Sequence, residues 1–188
     1  MALVNAMDWA QIFCRRGKMR MVATMTTQSA NIGIIHAVTL EKIAAVRDLM
    51  REYGASLGVD LSYQNFEEEL RGLPGEYAPP RGTLLLALAG EEAAGCVAIR
   101  PLAENFCEMK RLYVRPAWRS TGLGKRLVLA AIEDAQQAGH HFLRLDTLPT
   151  MSAARKLYAA LGFLPIAPYY QSPVAGTAFL QLDLTKLR

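Results

Sequence analysis

Short β-prone runs alternate with amphipathic helical stretches along most of this chain. Residues 31–38 form such a run, and Thr39 can cap a helix whose Leu40, Ile43, Val46 and Met50 share one face. A second helix is expected over residues 64–71, ahead of a Pro- and Gly-rich loop at 73–82. Residues 83–89 and 93–102 flank Gly90-Glu91, which signals a hairpin. Residues 106–114 read as a further strand, stopped by Pro116. Residues 122–138 are helical: Leu123, Leu127 and Ala131 recur every fourth position, and Gly139 ends the run where a left-handed residue is cheapest. A strand at 142–147 precedes a helix at 153–161 with Ala154, Leu157, Tyr158 and Leu161 on one side; Gly162 closes it. Strands at 163–166 and 177–184 finish the chain.

With 188 residues and no internal repeat or linker, this pattern predicts one mixed α/β domain over residues 31–188. Residues 1–30 read differently: they hold five methionines and a basic cluster, Arg15, Arg16, Lys18 and Arg20. The order is wrong for a signal peptide, so a flexible or docking arm is expected there. The 52% apolar and 20% charged composition excludes disorder and coiled coil, and no apolar run has the length of a membrane span. A net charge of +4 is a mild preference for anionic partners. Cys14, Cys96 and Cys107 form no CxxC pair, which argues for reduced, cytoplasmic thiols rather than disulfides or zinc. His36, His140 and His141 have no metal-ligand spacing, so no metal is expected.

Candidate chemistry is concentrated between Glu108 and Gly124. Six basic residues and no acid lie between Met109 and Ile132, and a helix opens at Gly122 and Gly124 with Arg119 just before it. A helix N-terminus offers unpaired N–H groups and partial positive charge, glycine lets an anion approach the backbone, and arginine adds a charge-assisted hydrogen bond. Pyrophosphate binding is the expectation. A P-loop fails because Arg119 and Arg126 stand at its ends, and a dinucleotide fingerprint fails at Leu127.

The remaining pattern, Arg119-x-x-Gly122-x-Gly124 after a strand, resembles the acyl-CoA signature of the GNAT (Gcn5-related) N-acetyltransferase superfamily. Leu112-Tyr113-Val114 precedes it at the family's distance, and Ala154-x-x-Leu157-Tyr158-x-x-x-Gly162-Phe163 looks like the family's closing motif. Leu145-Asp146-Thr147 and Pro168-Tyr169-Tyr170 further resemble a branch of small bacterial members. The resemblance implies a central mixed, mostly antiparallel sheet flanked by helices, with splayed central strands. It implies acetyl-CoA as co-substrate. Backbone groups of Leu112, Tyr113 and Val114 would hold the pantetheine arm and acetyl carbonyl; those of Arg119, Ser120, Thr121, Gly122, Leu123, Gly124 and Lys125 would hold the pyrophosphate. Ser120 and Met151 depart from the family's commonest residues at their positions.

An amine of pKa about 10 attacks a thioester only after losing a proton. Glu108, six residues before Val114, resembles the catalytic glutamate of histone-type members, and strand alternation would place it on the face of Lys110, Leu112 and Val114. It reads equally as the partner of Lys110 or Arg111. Tyr158 matches a tyrosine that can protonate the leaving thiolate, or else it is a core residue. The expected function is N-acetyl transfer from acetyl-CoA to a primary amine of a small molecule or peptide, by direct attack in a ternary complex. A non-catalytic acyl-CoA-binding regulatory module is the alternative. No nucleic-acid or membrane partner is expected, and subunit number stays open, a homodimer included.

Overall fold

The computed structural model describes residues 32–187, so the arm expected over 1–30 lies outside the described residues. In chain order the elements are β1 (Ile32–His36), α1 (Leu40–Leu57), α2 (Phe66–Arg71), β2 (Thr83–Ala89), β3 (Glu92–Ala103), β4 (Phe106–Val114), α3 (Leu123–Gln137), β5 (Phe142–Thr147), α4 (Ser152–Ala160), β6 (Leu164–Pro165) and β7 (Ala178–Asp183). The strands form one sheet in the order β1-β2-β3-β4-β5-β7-β6. Every pairing is antiparallel except β4 with β5.

Helix α1 starts where the sequence places its cap: the Thr39 hydroxyl accepts from the Lys42 amide. Its buried Ile43, Val46, Leu49 and Met50 press on one sheet face with Leu70 of α2, Leu84, Leu86, Cys96 and Tyr113. Fully burying an aliphatic side chain of this size stabilises by about 1.5–3 kcal/mol, so this stripe fixes the helix. On the other face, Leu123, Leu127, Val128 and Ala131 of α3 pack with Tyr158 of α4, Met109, Leu143 and Leu145. The outcome is three layers, helix–sheet–helix, as the resemblance implies.

Three expectations shift. The helix expected over 64–71 is broken at Asn65, whose φ of 54° separates a 3-10 turn (Ser62–Gln64) from α2. The strand expected at 163–166 shortens to Leu164–Pro165, and the last strand ends at Asp183 in a further 3-10 turn. Gly95 answers a different need. A Cβ there would stand 2.5 Å from the Tyr113 carbonyl oxygen, so glycine lets β3 close on the end of β4.

Candidate active site

One inserted residue in β4 decides how the site is built. Lys110 pairs with Ala98, but the next registered pair is Tyr113 with Cys96, and Arg111 between them has a φ of 58°. This is a β-bulge, and it reverses which face each later residue occupies. Cys107 and Met109 face α3, while Glu108 and Lys110 face the α1–α2 layer; beyond the bulge Leu112 and Val114 turn to the α3 side and Tyr113 to the other. The expectation that Glu108 shares a face with Leu112 and Val114 is therefore corrected. Simple alternation fails because Arg111 adds a residue that β3 does not match.

Beside the bulge, β4 leaves β5. Their parallel pairing covers Phe106↔Phe142, Cys107↔Leu143 and Glu108↔Arg144, and then the strands diverge. The Arg115 amide donates to Ala94 on the β3 side. Since a strand residue's N–H and C=O point the same way and alternate along the chain, those of Val114 and Leu112 face the opposite, unpaired edge. Arg119 agrees with this, for its Nε donates to the Val114 carbonyl oxygen at 3.0 Å. The gap between the strands is lined by Tyr53, Met109, Lys110, Leu112, Asp146, Met151 and Tyr158. Tyr158 is only 4% exposed, and burial pushes its phenol up, with Tyr53 and Asp146 adding to the effect. Among the described residues nothing hydrogen-bonds its hydroxyl, and that atom is not sealed off as those of Trp118 and Thr147 are.

The open edge leads to the start of α3. Gly122 has a φ of 83°, no side chain caps the helix, and the first backbone bond runs from the Arg126 amide to the Gly122 oxygen at 3.1 Å. The amides of Leu123, Gly124 and Lys125 therefore lie free at the helix's positive end. Ser120 also adopts a left-handed conformation, φ 63°, which explains why glycine suits that position. A Cβ at Gly124 would come no nearer than 3.9 Å to Leu157 or Val114, so internal packing does not demand glycine there.

On the α2 side the gap opens into a chamber of about 290 Å³, lined by Tyr63, Glu69, Arg100, Glu108, Tyr169 and Tyr170 among others. Glu108 is 1% exposed and held from several sides. Arg100 reaches its Oε2 through Nε at 2.9 Å and a terminal nitrogen at 2.8 Å, the Tyr169 hydroxyl donates to Oε1 at 2.7 Å, and Lys110 Nζ stands 3.7 Å away. The sequence allowed an ion pair with Lys110 or Arg111; the principal partner is Arg100. Arg111 is committed elsewhere. It grips Glu69 at 2.9 and 2.5 Å, donates to Gln64 at 2.7 Å and lies over the Phe66 ring. Burial would raise the Glu69 pKa, but Arg111 and the Tyr77 hydroxyl outweigh it and hold the carboxyl below its ordinary range. Lys110 donates to Asp146 Oδ1 at 2.9 Å.

The structure thus brings Tyr158, Leu112 and Val114 to one gap, Arg119 to Lys125 to its mouth, and Glu108 to the adjoining chamber. Sequence reasoning missed Asp146, Arg100, Glu69 and Gln64. Asp146 carried a signal: with Arg144 it alternates with the apolar Leu143 and Leu145, which puts two charged residues on the strand face opposite the α3 core. Cys96 and Cys107 are buried on β3 and β4, their thiols pushed up to about 12 by burial. His36 binds Asp134 at 2.8 Å, and buried His140 binds the Arg81 carbonyl at 2.9 Å. Among the described residues no helix is long and apolar enough to cross a membrane.

Residues 43–163 match the Acetyltransferase (GNAT) family. The chain is 36% identical over 159 residues to an uncharacterized N-acetyltransferase of Schizosaccharomyces pombe, covering 84% of this chain and 98% of that one. It is 30% identical to an uncharacterized N-acetyltransferase of Dictyostelium discoideum, over 77% of this chain and 95% of the relative. Among solved structures, a putative acetyltransferase from Salmonella typhimurium, determined with its cofactor acetyl-CoA, has a TM-score of 0.61 at 20% identity, covering 83% of this chain and 95% of that one. A GNAT acetyltransferase of Staphylococcus aureus gives 0.69 at 19% identity, over 81% and 99%. A splayed sheet that turns into an uncapped helix, read together with these matches, makes this chain a member of the GNAT family. It is an acyltransferase of the N-acetyltransferase type.

Proposed function

We propose that the protein moves an acetyl group from acetyl-CoA to a primary amine of a small molecule or peptide, by direct attack in a ternary complex. The divergence of β4 from β5 just beyond Glu108 carries this reading. It leaves strand-edge donors at Leu112 and Val114 that lead straight to the free amides of α3. A pantetheine arm can add to that edge as an extended strand would. Its pyrophosphate would then meet the amides of Leu123, Gly124 and Lys125, the turn at Ser120, Thr121 and Gly122, and the terminal nitrogens of Arg119. Tyr113, expected to join Leu112 and Val114, does not: its side chain packs under α1 and its backbone groups face β3 rather than the open edge. That the Salmonella neighbour was determined with acetyl-CoA supports this ligand.

Acetyl-CoA supplies the activated acetyl group; the chain's residues orient it and manage protons. The Val114 N–H, on the open edge, suits the oxygen that gains charge during attack. Tyr158 is neutral and faces the gap, so it can protonate the leaving thiolate. Glu108 is the acceptor-side carboxylate. Its charge favours an ammonium in the chamber and stabilises a proton released there.

Calorimetry with acetyl-CoA, followed by CoA release in the presence of polyamines, amino acids and simple alkylamines, tests the reading. Saturable binding with amine-dependent release supports it, and Glu108→Gln and Tyr158→Phe should each slow release. Binding with no release would leave the regulatory module as the better account. Absence of binding sinks both.

A further inference from the structure

The carboxylate that looks into the thioester gap is not the one the motif marks. Asp146 lies on β5 two positions beyond Arg144, the last residue registered with β4, and Lys110 lies two beyond Glu108. Here the strands no longer share hydrogen bonds, yet Lys110 Nζ reaches Asp146 Oδ1 at 2.9 Å. Asp146 lines the gap together with Tyr158, Leu112 and Met109, whereas Glu108 lines only the chamber behind it. Both Glu108 oxygens are engaged, by Arg100 and by Tyr169. Among the described residues, Lys110 alone donates to Asp146 with standard hydrogen-bond geometry.

From this arrangement we propose that Asp146 receives the acceptor's ammonium and takes its proton at the moment of attack, an inference that rests on the acetyl-transfer reading above.

The surroundings suit that task. The Lys110 ammonium already lies between Asp146 and, at 3.7 Å, Glu108, so this spot is built to hold an alkylammonium. Tyr53, Tyr63, Tyr158, Tyr169 and Tyr170 all feel the Asp146 charge, which adds to burial in keeping their phenols protonated. They offer hydroxyl donors to a carboxylate and aromatic faces to a cation. The protons balance. An ammonium gives its first proton to Asp146, and the freed nitrogen pair forms the C–N bond while the C–S bond breaks. Tyr158 protonates the departing sulfur, the second N–H proton restores Tyr158, and Asp146 returns its proton to solvent.

The test is Asp146→Asn, assayed with acetyl-CoA and three probe acceptors, 2-phenylethylamine, spermidine and lysine, with hydrolysis by water as the acceptor-free baseline. Acetyl-CoA affinity should hold within about twofold while kcat falls about 100-fold, the loss typical of a missing general base. Asp146→Glu should recover part of it. Because Asp146→Asn strands the Lys110 charge, the double variant Asp146→Asn/Lys110→Gln is made as well, and the same loss of kcat is expected there. A variant that binds acetyl-CoA normally and keeps kcat within about threefold of the parent overturns the proposal. So does a parent protein that binds acetyl-CoA but releases no CoA to any of these amines or to water. A parent that fails to bind acetyl-CoA removes the acetyl-transfer reading first, which separates the two failures.

Discussion

Arg119 donates its Nε to the Val114 carbonyl oxygen at 3.0 Å, tying the mouth of α3 to the free end of β4. One side chain thus sets the distance between the two halves of the proposed cofactor cleft and leaves its terminal nitrogens for an anion. Arg119→Ala should weaken acetyl-CoA binding about 10- to 100-fold, the worth of a charge-assisted hydrogen bond of about 1.5–3 kcal/mol. Its melting temperature should barely move, since the residue is exposed. Calorimetry beside a thermal melt separates the two effects.

Gly124 tests whether that space belongs to a ligand. A Cβ would make only ordinary contacts at 3.9 Å, and alanine is favoured over glycine in a helix by about 1 kcal/mol. Gly124→Ala should therefore melt at the same temperature as the parent or higher. The extra stabilisation that saturating acetyl-CoA gives should shrink in the same variant. Equal ligand-induced shifts in both proteins would mean the phosphates lie elsewhere.

Tyr158→Phe removes a hydroxyl that no described residue hydrogen-bonds, so no buried partner is stranded. Stability should be unchanged or slightly raised. With a thiol of pKa about 8.5 as the leaving group, the kcat loss should be modest, about tenfold. KM for the amine should stay put. A destabilised variant with normal kcat would make Tyr158 a packing residue.

The Glu69–Arg111 pair should show in acid. The folded carboxyl sits below its ordinary 4.5 because Arg111 and Tyr77 overcome its burial. A depressed folded pKa contributes stability that is fully present above the unfolded value and is lost as pH falls through the folded one. Acid unfolding followed by circular dichroism should thus steepen below about pH 4.5 in the parent protein. Glu69→Gln leaves the Arg111 charge buried without its partner, which costs about 3–5 kcal/mol at neutral pH, and its acid limb should flatten.

Much of this was legible along the chain. The Thr39 cap, the Gly90 turn and the stripe Leu123, Leu127, Ala131 are local signals, each written within a few residues, and the structure places them as expected. The proposed cofactor cleft could be read from the chain for the same reason, since Arg119 to Lys125 are contiguous. The neighbouring chamber could not. Arg100 meets Glu108 from another strand, Glu69 meets Arg111 from a separate helix, and Asp146 meets Lys110 across a gap. Such pairs depend on register and on where two strands part, and no spacing along the chain encodes either. Arg111 marks the limit more sharply: an arginine in a left-handed conformation carries no compositional warning, whereas Asn65 is of the residue type that adopts one most readily after glycine.

The extra residue at Arg111 means that a single strand serves two rooms. Its first half sends Glu108 and Lys110 toward the chamber on the α2 side, and its second half sends Leu112 and Val114 to the opposite layer while leaving their backbone groups on the open edge. Removing Arg111 would restore plain alternation and leave Glu108 and Lys110 on one face and Leu112 and Val114 on the other, but the grip of Arg111 on Glu69 would go with it. What the bulge adds is a pair of consecutive cations on one layer, Lys110 turned to Asp146 and Arg111 to Glu69, an arrangement that a regular nine-residue strand cannot make.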